Sequence, residues 1–141
     1  MAGGFTQAVR KALLDHYFGK STLNAPTIYV GLSSTTPTTA GANVTEPSAG
    51  NYARVATAAA DWNVSTTADP CLLDNANPVT FGTATATWLS GSNLTYAVLF
   101  DASTAGNVVA YGALAVAKPV TSGDTPNYAA GTIDVTLAHT A

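Results

Sequence analysis

The hydrophobic period of the chain changes once. Around residues 6–18 apolar side chains recur at helical spacing: Phe5, Val9 and Leu13 stand four apart, and Leu14 and Phe18 widen the stripe. Thr6 occupies the N-cap place and Gly19 the place of a helix stop. Val9 stands three residues after Thr6, so there is no capping box. Arg10, Lys11 and Asp15 fall on the wet face. Beyond residue 20 the period drops to two. "TIYVGL" predicts a strand with Ile28, Val30 and Leu32 on the core face and Thr27, Tyr29 and Gly31 on the other. Alternation and β-branched content predict further strands over 52–57, over the Thr-rich 79–88, over 95–101 with Tyr96, Val98 and Phe100 together, and over 107–116. "DASTAGN" between the last two reads as a hairpin connection. A final strand over 132–138 turns Ile133, Val135 and Leu137 one way.

Two long loops, 33–51 and 63–78, carry no predicted element, and loops of that length usually serve a function or an interface. The expected architecture is mainly β: a single β-sandwich or jelly-roll-like domain with a short N-terminal amphipathic helix. Residues 1–20 read as a helix or arm and 21–141 as one β domain, a size that fits one core.

Composition sharpens this picture. Only 9% of residues are charged, where about 25% is typical; Ala (27) and Thr (22) fill the difference. A neutral surface of hydroxyls and small apolar groups gives little long-range repulsion and suits contact with other proteins. The net charge of −3 is uneven: +2 over residues 1–20 and −5 over the remainder, where Arg54 and Lys118 are the sole basic residues. Nucleic-acid binding needs clustered Lys and Arg, so that class is excluded. Cys71 stands alone, so neither an internal disulfide nor a thiolate cluster can form. The first twenty residues lack a secretory h-region and no apolar run reaches membrane-spanning length, so no signal and no membrane are expected.

The pattern holds little catalytic chemistry. His16 and His139 lie at opposite ends, and a zinc site needs three or four converging ligands. There is no G-x-S-x-G elbow. Glu46 is the single Glu, and Asp61, Asp69, Asp74, Asp101 and Asp124 read as turn residues beside strands. One acid in "DASTAGN" is a poor calcium ligand set. The tyrosines and tryptophans fall mostly at strand positions, where packing is their expected role; Trp62 is the one with a carbohydrate-platform alternative. The expectation is a non-enzyme without cofactor or metal.

The order of pieces carries a resemblance. "ALLDHYFG", "APTIYVGLSSTTPT", "EPSAGNYARV", "NPVTFGTAT" and the long C-terminal run from "YAVLFDASTAGN" to "GTIDVTLA" together resemble a family of small tailed-bacteriophage virion proteins. Members are often labelled tail fibre proteins, and related β-rich proteins serve as head decoration (cement) proteins. The resemblance implies a structural protein of the virion, present in host cytoplasm during assembly. The chain shows no repeat, heptad or shaft. The reading that follows is a capsid decoration protein on the head surface: a homotrimer seated on the major capsid protein lattice and stabilising it by mass action. The alternative is a tail-fibre or tail-tip protein that meets a host receptor or glycan. Candidate quaternary contacts are Phe5, Val9, Arg10 and Lys11 in the basic N-terminal segment, Thr35, Thr36, Pro37, Thr38 and Glu46 in the first long loop, and Arg54. If buried, Arg54 must be paired, with Glu46 or Asp61 nearest in sequence.

Overall fold

The computed structural model describes residues 2–65 and 69–138; His139 lies outside them. Strand β1 (Ala2–Phe5) runs into helix α1 (Gln7–Tyr17). Then come β2 (Ile28–Ser33), β3 (Val55–Thr57), β4 (Trp62–Val64), β5 (Cys71–Asn75), β6 (Val79–Thr80), β7 (Leu94–Phe100), β8 (Val108–Lys118), β9 (Asn127–Tyr128) and β10 (Asp134–Leu137). The protein is mainly β with one short helix, as the alternation predicts. Eight strands form one sheet in the order β3-β2-β7-β8-β1-β10-β5-β4, and β6 pairs with β9 in a separate ribbon.

The large sheet curls, and its edges approach at one end without pairing. Its two edge strands, β3 and β4, are joined by one 3-10 turn (Ala59–Asp61), and the Trp62 indole N–H donates to Thr57 Oγ1 at 3.0 Å across the join. All eight strands therefore feed one apolar cluster, through Val55, Val30, Leu99, Ala110, Phe5, Val135, Leu73 and Trp62. Trp62 is spent on this packing and does not form an exposed platform.

Most of the filling comes from a segment predicted as a long strand. Over 79–88 just Val79 and Thr80 pair in a ladder. The buried positions that follow are Phe81, Ala84 and Trp88, a spacing that is not two. The backbone there bonds to loops instead: Phe81 N–H to Pro126 O, Ala84 N–H to Asp124 O, Thr85 N–H to Gly50 O and Trp88 N–H to Val120 O. Local Thr content favours a strand, but these tertiary partners satisfy the same amides while the chain dives through the core. Trp88 meets Tyr52 edge-on at 5.0 Å, and Phe81 lies edge-on to both Trp88 and Tyr128 at 6.3 Å. Its indole N–H donates to Gly50 O at 2.9 Å, so the largest buried side chain has no orphaned polar atom.

Other expectations shift in detail. The segment 63–78 supplies most of β4 and all of β5, not a bare loop. Asn75 at the end of β5 is wholly buried: its Nδ2 donates to Asn77 O and Ala129 O, and its Oδ1 accepts from the amides of Thr132 and Ile133, all at 2.8–2.9 Å. The strand expected over 52–57 starts at Val55. In β10 and just before it Ile133 and Val135 are buried as predicted, but Leu137 at the strand's end is 45% exposed. Both faces of β2 are covered: Val30 and Leu32 meet the core, and Gly31 on the opposite face is buried too.

The strand β1 has no signature in the alternation. Its sequence is AGGF, and it inserts between β8, antiparallel, and β10, parallel. Gly3 makes that fit possible: a Cβ there would lie 2.3 Å from the Tyr111 carbonyl oxygen, whereas a Cβ on Gly4 would meet nothing within 4 Å. Gly3→Ala should therefore cost about 1–3 kcal/mol by forcing β1 off β8. Gly4→Ala should stay within about 0.5 kcal/mol of wild type. Urea unfolding of the two variants checks this, and equal losses would show that β1 does not depend on the close approach.

Candidate functional site

Helix α1 is anchored at its base and bare along one edge. The Thr6 amide donates to Val109 O at 3.0 Å and its hydroxyl to Val108 O at 2.8 Å, and the Gln7 amide donates to Thr39 O at 2.9 Å. Thr6 is the N-cap residue, as predicted, but its hydroxyl is spent on the sheet and not on a helix amide. Gly19 ends the helix at φ +68°, a left-handed value that glycine adopts without a Cβ clash. No residue of α1 is buried. Val9 and Leu13 are half-buried, while Leu14 is 61%, Phe18 70% and Tyr17 89% exposed. Arg10 is exposed beside this face, and Lys11 makes an exposed i,i+4 ion pair with Asp15. A pair so placed is worth little. Phe5, also a candidate, packs against the core instead of facing outward.

The loop 33–51 is knitted to itself. Thr35 Oγ1 donates to Asn43 O at 2.7 Å, Thr36 Oγ1 to the Tyr96 hydroxyl at 3.1 Å, and Thr38 Oγ1 accepts from the Ala42 amide at 3.1 Å. Pro37 is fully buried. The hydroxyls at positions 35, 36 and 38 thus hold the loop over the outer face of the sheet, where Val98, Phe100, Val108, Val44, Tyr29, Tyr96 and Tyr111 form a second apolar cluster.

Glu46 and Arg54 turn inward and clasp each other. Arg54 Nε donates to both Glu46 oxygens at 3.0 and 3.2 Å, and its NH2 group donates to Glu46 Oε2. Its NH1 group donates to the carbonyls of Ala102 and Ala105, both at 2.8 Å, and its guanidinium lies 3.3 Å from the centre of the Phe100 ring. The Tyr52 hydroxyl donates to Glu46 Oε1 at 2.6 Å while accepting from the Leu32 amide at 2.9 Å. Burial first, then the Glu46 carboxylate, push the Tyr52 phenol far above its ordinary range, so it stays protonated as a donor. Gly31 floors the clasp: a Cβ there would come within 2.8–2.9 Å of Glu46, Phe100 and Tyr52. Of the two partners proposed for Arg54, the structure selects Glu46.

The turn acids do turn work. The Ala58 amide and then the Asn77 side chain hold the Asp61 carboxyl below its ordinary range, and the Thr121 amide and hydroxyl do the same for Asp124. Burial pushes the Asp101 carboxyl up, but bonds from the Asn107 side chain and amide, with Arg54 nearby, outweigh it and leave the group depressed.

Leu14, Tyr17 and Phe18 thus form an exposed apolar edge beside Arg10 and Lys11 on a helix that stands off the curled sheet. The family model described as podophage GP4 fiber I protein gp80 matches residues 4–136, from the central strand β1 to the end of β10. The chain belongs to this family. It is thus a fibre-type structural protein of a tailed bacteriophage and a component of the virion. Among curated proteins, none matches the gp80-family chain. Sequence reasoning placed Leu14 and Phe18 on the apolar stripe but named neither of them, nor Tyr17, among the candidate contacts; a periodic stripe looks the same whether it is covered or bare.

Glu46→Ala should destabilise the protein by about 3–5 kcal/mol, because it strands a buried guanidinium whose side chain is 8% exposed. The double variant Glu46→Gln, Arg54→Met should recover much of that loss. Urea unfolding checks both, and a single-variant loss below about 1 kcal/mol would mean the pair behaves as a surface pair. The depressed Asp101 carboxyl adds stability above the ordinary carboxylate range, and that contribution disappears as pH falls through the ordinary value to the lower folded one. Asp101→Asn should flatten this acid limb in thermal melts.

Proposed function

We propose that this protein is a non-enzymatic subunit of a podophage tail fibre, which works by protein contact and is seated through its N-terminal helix. The observation that carries the reading is the fibre-family match over residues 4–136 on a chain whose helix leaves Leu14, Tyr17 and Phe18 bare. A contact role is further supported by the state of the acids: Glu46 is neutralised within the clasp, and Asp61, Asp101 and Asp124 brace turns. On this reading the body, with its curled sheet and low charge, presents a surface to neighbouring virion proteins or to a host receptor or glycan.

A second reading is favoured by one specific observation. The described residues form a single curled body with no extended shaft, a shape that suits an ornament on the head as well as a knob on a fibre. There the protein would sit as a homotrimer on the major capsid protein lattice and bind the assembled shell in preference to free subunits.

Gold-labelled antibody against this chain on intact virions, with copy number per particle from quantitative mass spectrometry, separates the two. Label confined to the tail vertex at low copy number is the expected result. Label spread over the head at high copy number would replace the fibre reading with the decoration one.

A further inference from the structure

We infer that copies of this chain associate head-to-tail, the helix α1 of one copy lying in an apolar groove at the far end of the next. The groove has a volume of about 590 Å³. It opens between the end of β8 and the chain that follows, with Leu114, Val116, Pro119, Pro126 and Tyr128 in its lining and Asp124 at its rim. Val116 is 64% exposed, an uncovered apolar side chain of the lining.

Ridge and groove lie at opposite ends of one strand. The helix is bonded to the Val108–Val109 end of β8, while the groove is formed by its Leu114–Lys118 end. At about 3.3 Å per residue the two are separated by roughly 20 Å along the strand. No residue of α1 lines the groove of its own chain. Each copy therefore carries a convex apolar feature and a concave one that it does not itself satisfy, and a second copy supplies the complement.

Charge selects the same partner. Residues 1–20 carry +2 and the rest of the chain −5. Bringing the helical segment of one copy onto the body of another joins opposite signs, whereas helix-on-helix contact would place Arg10, Lys11 and Lys20 against their own kind. Lys118 shares the groove with Asp124, so the attraction comes from the body as a whole, and salt should weaken it. Such a contact uses two different patches on each copy. It closes into a ring if the rotation permits and otherwise runs on as a filament. This inference is independent of where on the virion the protein sits, and its test reads solution mass, not location.

The test uses the full chain in sedimentation velocity over a concentration series. Wild type should show mass above the monomer, rising with concentration and falling with added salt. Phe18→Asp on the helix and Val116→Asp in the groove should each weaken association by more than about tenfold. Both side chains are exposed, so circular dichroism and melting temperature should stay at wild-type values. Mixing the two variants is decisive. The intact helix of Val116→Asp fits the intact groove of Phe18→Asp, so the mixture should form a dimer and stop there. A wild type that stays monomeric throughout would overturn the inference, as would Val116→Asp associating like wild type or a mixture that stays monomeric.

Discussion

The fold depends on the insertion of β1 at the centre of the sheet. On one side β1 completes the antiparallel group β3-β2-β7-β8; on the other it runs parallel to β10 and so joins β10-β5-β4. Without it the sheet would be two pieces with two new edges of unpaired backbone groups, on β8 and on β10, a state that buried amides do not tolerate. The contact is close enough to require glycine at position 3, where Tyr111 O leaves no space for a side chain. The first residues of the chain are thus a keystone as well as a leader to the helix.

The position of the helix follows from this. Because α1 starts one residue after β1 ends, its base is fixed by the bonds of Thr6 and Gln7 to Val108, Val109 and Thr39. The loop 33–51 already covers the neighbouring outer face of the sheet, and the Glu46–Arg54 clasp holds that loop down. The helix covers its own chain only in part, through the half-buried Val9 and Leu13. Leu14, Tyr17 and Phe18 stay in water, an arrangement that makes physical sense when another molecule covers them.

Low charge and tight internal pairing have one consequence in common. The buried Arg54 is neutralised by Glu46, capped by two carbonyls and stacked on Phe100, so it brings no stranded charge to a protein contact. The hydroxyls of Thr35 and Thr38 are spent inside the loop, and that of Thr36 on Tyr96 of the sheet. On the head-to-tail association inferred above, the contact surfaces are the apolar ridge and the apolar groove, and specificity would rest on shape and on the separation of charge along the chain.

Local periodicity was enough to read the helix with its cap and stop, the inward faces of β2 and β10, the grouping of Tyr96, Val98 and Phe100 on one face of β7 (the outer one), the hairpin before β8, and Glu46 as one of two partners for Arg54. Those features depend on neighbours in sequence or on a buried charge that must be paired. The rest was illegible for a stated reason in each case. Glycine is depleted in strands, yet β1 needs it for close approach. The Thr-rich stretch 79–88 has strand propensity, yet its amides find loop carbonyls far away in sequence. Asn75 looks like any turn residue until Ala129, Thr132 and Ile133 converge on it. By itself, then, the sequence determined a low-charge, mainly β protein with one amphipathic basic-flanked helix. Only the tertiary structure decided that Leu14, Tyr17 and Phe18 are bare, that Pro37, Glu46 and Arg54 are drawn inward and that Thr36 and Thr38 stay exposed, because exposure depends on what packs over a face and not on the pattern of the face itself.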